Sequence, residues 1–219
     1  RGTFCAMTPY RAARPGTMDG MDRVQAAALR DLLAATGGQC GWVEETDEFG
    51  SALRRAPRHA GGLLLAGPRD EEPWHLAAHL TDESQWADLP ELAPVLLRHD
   101  PPPDAPAHLA AGLQRLASTG RGEALLVVAQ HDPADALLER IGDARRRGAR
   151  ILTLDQGAPE LRGLAHEMLT VPDESALLSF DSAQHLVSLA AATSSAAHGL
   201  RARLGRWIES VSGPRVERW

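Results

Sequence analysis

EALLVVAQHDPADALLERIGDARRRGARILTL, residues 123–154, decides the fold. A continuous apolar run, Ala124 to Val128, and a mostly apolar one, Ile151 to Leu154 with Thr153 inside it, flank a segment with helical spacing. Leu137, Leu138, Ile141 and Ala144 form one apolar stripe, and Glu139, Arg140, Asp143 and Arg146 face away from it. Uninterrupted apolar strands are buried on both faces, and a helix between two of them supplies the crossover that parallel strands need. The stretch therefore reads as a strand–helix–strand unit of a parallel sheet.

Between the first strand and the helix lies Ala129-Gln130-His131-Asp132-Pro133-Ala134. In open α/β sheets such turns are where ligands bind. Local rules also make it a sound helix start: Asp132 is a favoured N-cap, Pro133 fits the first helical position, and Asp135 adds negative charge to the first turn. At the other end, Arg145-Arg146-Arg147 complements the helix dipole and Gly148 ends the helix. His131 has no part in this capping, so a binding loop and a capped helix start both stay open. The same tripeptide, His99-Asp100-Pro101, stands 32 residues earlier after the apolar run Ala93 to Leu97. Equivalent turns of a parallel sheet emerge along one edge, so the pair is either a two-histidine site or two similarly capped helices.

Outward from this unit, residues 93–99 are predicted as a strand, 104–118 as a helix, and 160–172 as a short helix running into a last strand. A long helix is predicted from about 181 to 208. Upstream, residues 21–38 are predicted as a helix ending at Gly37-Gly38, 40–43 as a short strand and 47–56 as a short helix. GGLLLAG and WHLAAHL, residues 61–67 and 74–80, are predicted as two strands around a polar turn. The organisation expected is a tail over 1–20, a helix and diverged α/β lobe over 21–92, a parallel α/β core over 93–210, and a tail over 211–219.

The chain has 219 residues and 43% hydrophobic content, enough for one substantial core. Its net charge of −6, and the lack of a basic tract with interleaved aromatics, argue against nucleic-acid binding. No apolar stretch approaches the ~18 residues that cross a bilayer, and none near the N-terminus matches a secretory signal. The expectation is a cytoplasmic protein without a membrane span. All 23 basic residues are Arg. Without Lys there is no Schiff-base chemistry and no Walker-type phosphate loop. Cys5 and Cys40 cannot build a four-thiolate zinc site.

His75 and His79 lie four residues apart, on one face of either a helix or a strand, with Asp82 and Glu83 nearby. The H-E-x-x-H glutamate is absent, so no metal site is expected there, and no cofactor is expected elsewhere.

Residues 122–197 resemble the second half of a sugar isomerase (SIS) domain. The order of elements matches, as does the progression from RRRGARILTL to LTVP and on to the helix holding DSAQHLVSL. The resemblance covers about a third of the chain and implies an α/β fold with a doubly wound parallel sheet and a diverged N-terminal half. It implies a binding or regulatory protein for a sugar phosphate or similar small anionic metabolite. A divergent phosphosugar isomerase or lyase and a dimerising scaffold are the alternatives. In that family a serine-rich loop cradles the phosphate, as hydroxyls and backbone N–H groups at a helix start can. Here the loop has no hydroxyl, Pro133 removes an N–H, and Asp132 adds a carboxylate. The resemblance implies His185 as a catalytic candidate on the final helix, with Ala183 in place of an accompanying Glu; His131 is its candidate catalytic partner if the fold brings the two together. Gln130, His131, Asp132, His99 and Ser182 are the candidate ligand-binding residues. The small-residue run from Ser188 to Gly199 permits close helix approach, inside the domain or against a second subunit, and a homodimer is expected.

Overall fold

The computed structural model describes residues 19–35, 40–106, 109–172 and 178–193. The expected tails, apart from residues 19 and 20, and the expected helix beyond residue 193 lie outside them. Five parallel strands form one sheet in the order β2-β1-β3-β4-β5. They are β1 (Leu63–Ala66), β2 (Val95–Leu96), β3 (Ala124–Ala129), β4 (Arg150–Asp155) and β5 (Glu167–Thr170). Registers run from Leu63 opposite Ala124 and from Ala124 opposite Arg150. The doubly wound parallel α/β fold stands as the sequence predicts.

The helices are α1 (Asp19–Ala35), α2 (Cys40–Arg55), α3 (Trp74–Trp86), α4 (Asp135–Arg146), α5 (Pro159–Arg162) and α6 (Phe180–Ala192). One face of the sheet, with Leu63, Leu65, Leu126, Val128, Leu152 and Leu154, packs on α1, α2, α3 and α6. The other, with Leu64, Leu125, Val127 and Ile151, packs on α4, α5 and the 3-10 turn at 113–118. Every residue of β1 and β3 is buried, which accounts for their unbroken apolar runs.

Four local expectations are corrected. Residues 40–43 belong to α2, whose buried Trp42, Val43, Thr46, Phe49, Gly50 and Leu53 follow a helical period. Residues 74–80 are helix, not strand, because Leu76, Leu80, Glu83 and Ser84 turn inward together. Residues 104–106 and 109–118, the described part of the helix expected over 104–118, form turns and a 3-10 segment in place of an α-helix. Pro101, Pro102, Pro103 and Pro106 withhold donors and push their predecessors away from helical backbone. Arg98 instead forms a bridge with Gly112, its N–H donating to the Ala111 carbonyl and its own carbonyl accepting from Leu113. Lastly, α4 starts at Asp135 with Ala134 in an extended conformation before it, so Asp132 is not the N-cap and Pro133 is not the first helical residue. The loop after β3 is correspondingly longer.

The small side chains of α6 are used within the chain over Ser188 to Ala192, where all but Leu189 are buried. A Cβ on Gly50 of α2 would lie 2.6 Å from the Ala190 Cβ, so the two helices touch almost backbone to backbone. Arg54 of α2 also donates to the Ala192 carbonyl at 3.2 Å, satisfying one of the orphan acceptors at the end of α6.

Candidate functional site

With strand order 2-1-3-4-5, the crossovers leave β1 and β3 in opposite directions, and a crevice opens beyond their C-terminal ends. It has a volume of about 220 Å³ and is lined by Glu71, Glu72, Trp74 and His75 after β1, Val128 and Gln130 of the β3 end, and Phe180, Asp181 and Gln184 of α6. The first turn of α6 thus forms one wall, bringing the positive end of a helix together with the negative Asp181.

The floor is held by two consecutive glutamates from the 3-10 turn Arg69–Glu71 and the residue after it. One oxygen of Glu71 accepts the backbone N–H of Gln130 at 3.1 Å, and the other contacts His131 Nδ1. Glu72 accepts the backbone N–H of His99 at 2.7 Å, Trp74 Nε1 at 3.1 Å and Arg98 Nε at 3.4 Å. His99 Nε2 lies 2.9 Å from the Gly67 carbonyl. Gly67 has no room for a side chain, since a Cβ would sit 2.6 Å from the Glu71 carbonyl oxygen and 2.7 Å from that of Val128.

The two His-Asp-Pro turns stand on either side of the segment after β1, which binds one through Glu72 and the other through Glu71, and neither His99 nor His131 is among the residues lining the crevice. Gln130 lines the crevice, while Asp132 is exposed. Ser182 is engaged in a capping box with Ser179: its hydroxyl donates to the Ser179 carbonyl at 2.9 Å and accepts the Ser179 N–H at 2.8 Å. His185 and His131 have different partners, since His131 meets Glu71 and His185 Nε2 lies 2.8 Å from His75 Nε2.

His79 completes a cluster with His75 and His185, and one ring nitrogen from each lies within 4.8 Å of the others. The His75/His79 spacing showed in the sequence; the third member did not, because it arrives from a helix more than a hundred residues away. Glu83 follows one turn later on α3. Its Oε1 pairs with Arg23 at 3.0 Å, and its buried Oε2 has no partner among the described residues. Burial raises the Glu83 carboxyl pKa, Arg23 opposes that rise and Asp82 adds to it.

Glu71, Glu72 and Gln184 escaped sequence reasoning. Gln184 is buried, donates to Asp181 at 3.2 Å, and leaves its Oε1 without a partner among the described residues.

No protein-family model matches the sequence, and no curated protein matches it significantly. Solved structures of similar fold include the sugar isomerase domain of an RpiR transcription factor from Sphaerobacter thermophilus, with a TM-score of 0.48 and 13% identity over 88% of this chain and 98% of that one. A protein described as sugar-binding from Salmonella typhimurium gives 0.46 and 19%, covering 85% of this chain and 54% of that one. One described as a phosphosugar isomerase from Silicibacter pomeroyi gives 0.47 and 18%, covering 85% and 54%. The chain spans about half the length of these last two.

Proposed function

We propose that this chain is a binding or regulatory protein for a small anionic sugar derivative, and that the Glu71 carboxylate occupies the anion's place when the ligand is absent. The observation that carries the reading is the pair of contacts from one carboxylate to the Gln130 N–H and the His131 ring. A loop that satisfies an internal oxyanion has the donors an external one needs. The Glu71 side chain is 30% exposed, so it can swing toward water and return the two donors to a ligand. The buried Gln184 Oε1 is an acceptor in want of a donor, which a sugar hydroxyl supplies.

Proton transfer between His131 and His185 gains no support from their separate partners. The proposal includes the homodimer expected from the sequence, now through the outer face of α1, where Val24, Ala28 and Leu32 are exposed at helical spacing. It also keeps the cytoplasmic location. No helix among the described residues is long and apolar enough to cross a membrane.

The test is a thermal-shift titration of wild type and Glu71→Gln with glucose 6-phosphate, fructose 6-phosphate and inorganic phosphate. A ligand bound only by the folded state raises Tm in step with its concentration. Glu71→Gln should respond at lower phosphosugar concentration than wild type, because the competing charge is gone. Absence of any response in both proteins at millimolar phosphosugar would overturn the reading.

A further inference from the structure

The faces of α3 and α6 that meet beside the crevice carry three imidazoles. His75 and His79 stand one turn apart on α3, and His185 reaches them from α6. Their ring centroids are 4.6, 4.6 and 4.1 Å apart. We propose that His75, His79 and His185 form a binding site for a divalent transition-metal ion of the zinc class.

Imidazole nitrogen is a favoured ligand of zinc, copper, nickel and cobalt. Tetrahedral bonds of about 2.0–2.1 Å place ligand nitrogens roughly 3.3 Å apart. The nitrogens here range from 2.8 Å apart, for His75 and His185, to no more than 4.8 Å. That range brackets the requirement, so small ring rotations bring all three lone pairs to one point while both helices stay in place. Two of the ligands come from an i, i+4 pair on one helix, which fixes their spacing before any ion arrives.

The surroundings suit a dication. His79 and His185 line a hollow together with Asp82, Glu83 and Arg23; Arg23 is taken up by Glu83 Oε1, and the buried Glu83 Oε2 has no partner among the described residues. Carboxylates beside a histidine site raise its affinity for a positive ion. On the other side His75 is exposed and lines the strand-end crevice. Three protein nitrogens with one coordination position turned to solvent are the arrangement of a metal that exchanges ligands, in contrast to a closed structural site. An ion held there stands at the border of the crevice, yet its binding does not depend on the anion reading.

The full chain, stripped with a chelator, is titrated with Co²⁺ and then with Zn²⁺. One equivalent of Co²⁺ should give the intense visible absorption of low-coordinate nitrogen ligation, and Zn²⁺ should displace it and raise Tm. His75→Ala, which alters an exposed side chain, should weaken binding more than about tenfold with circular dichroism unchanged. A His79→Ala, His185→Ala double variant should abolish the spectrum, while His99→Ala and His131→Ala should keep it. The proposal fails if folded wild type shows no such spectrum. It fails equally if His75→Ala binds Co²⁺ as wild type does.

Discussion

The turns His99-Asp100-Pro101 and His131-Asp132-Pro133 are identical in sequence and flank the same segment after β1, yet they are held in different ways. The first is fixed by a carboxylate largely withdrawn from water: the Glu72 side chain is 13% exposed and serves three donors, one of them an Arg98 guanidinium stacked 4.7 Å above the Trp74 ring. A second ion pair, Arg69 with Asp100, closes the same turn from outside. The second turn rests on Glu71, more exposed and with two contacts, one of them to a His131 side chain that is 77% exposed. A repeated motif is thus held by more, and more buried, contacts in one copy than in the other, and the neighbours decide which is which.

The largest test of this difference is Glu72→Ala. It leaves a half-buried guanidinium, an indole N–H and a backbone N–H without their acceptor, and should lower stability by about 2–4 kcal/mol in denaturant titrations. Glu71→Ala should cost less than about 1 kcal/mol, as expected for a solvent-screened contact. Equal losses for the two variants would show that both glutamates are structural and would remove the basis for a displaceable carboxylate.

The smallest effect concerns pH, and it sets the background against which any pH response of the crevice is read. His166 Nδ1 accepts the Ile151 N–H at 2.9 Å, so the folded state favours the neutral ring. Its pKa is lowered from the ordinary 6.5, first by burial and then by Arg145 and Arg150. The unfolded chain therefore takes up a proton below pH 6.5 before the folded one does. The contribution of His166 is complete above pH 6.5 and is lost as pH falls through the lowered value. His166→Gln should flatten that part of the stability–pH curve; an unchanged slope would assign it to other groups.

The β3–α4–β4 unit was legible because each of its elements is decided within itself, by an apolar run or a stripe, without help from distant residues. The region from 40 to 118 was not. Leu76 and Leu80 fit a strand as well as a helix until α6 is present to receive them, and the proline run after His99 hid an extension of the sheet edge behind a helix-like composition. Of the site, the loop position, His131 and Gln130 could be found from the strand-to-helix turn alone. Glu71, Glu72 and Gln184 could not, because a glutamate in PRDEEP looks like any solvated charge and its partners lie up to 60 residues away.

The strand order has one more consequence, for the chain as it is being made. β1 lies inside the sheet, hydrogen-bonded to β2 on one edge and β3 on the other, and both follow it in the sequence. Leu63, Leu64 and Leu65 therefore leave the ribosome with two open edges and no neighbour yet synthesised. β1 stays unpaired until β2 has emerged, and its other edge stays open until β3 follows.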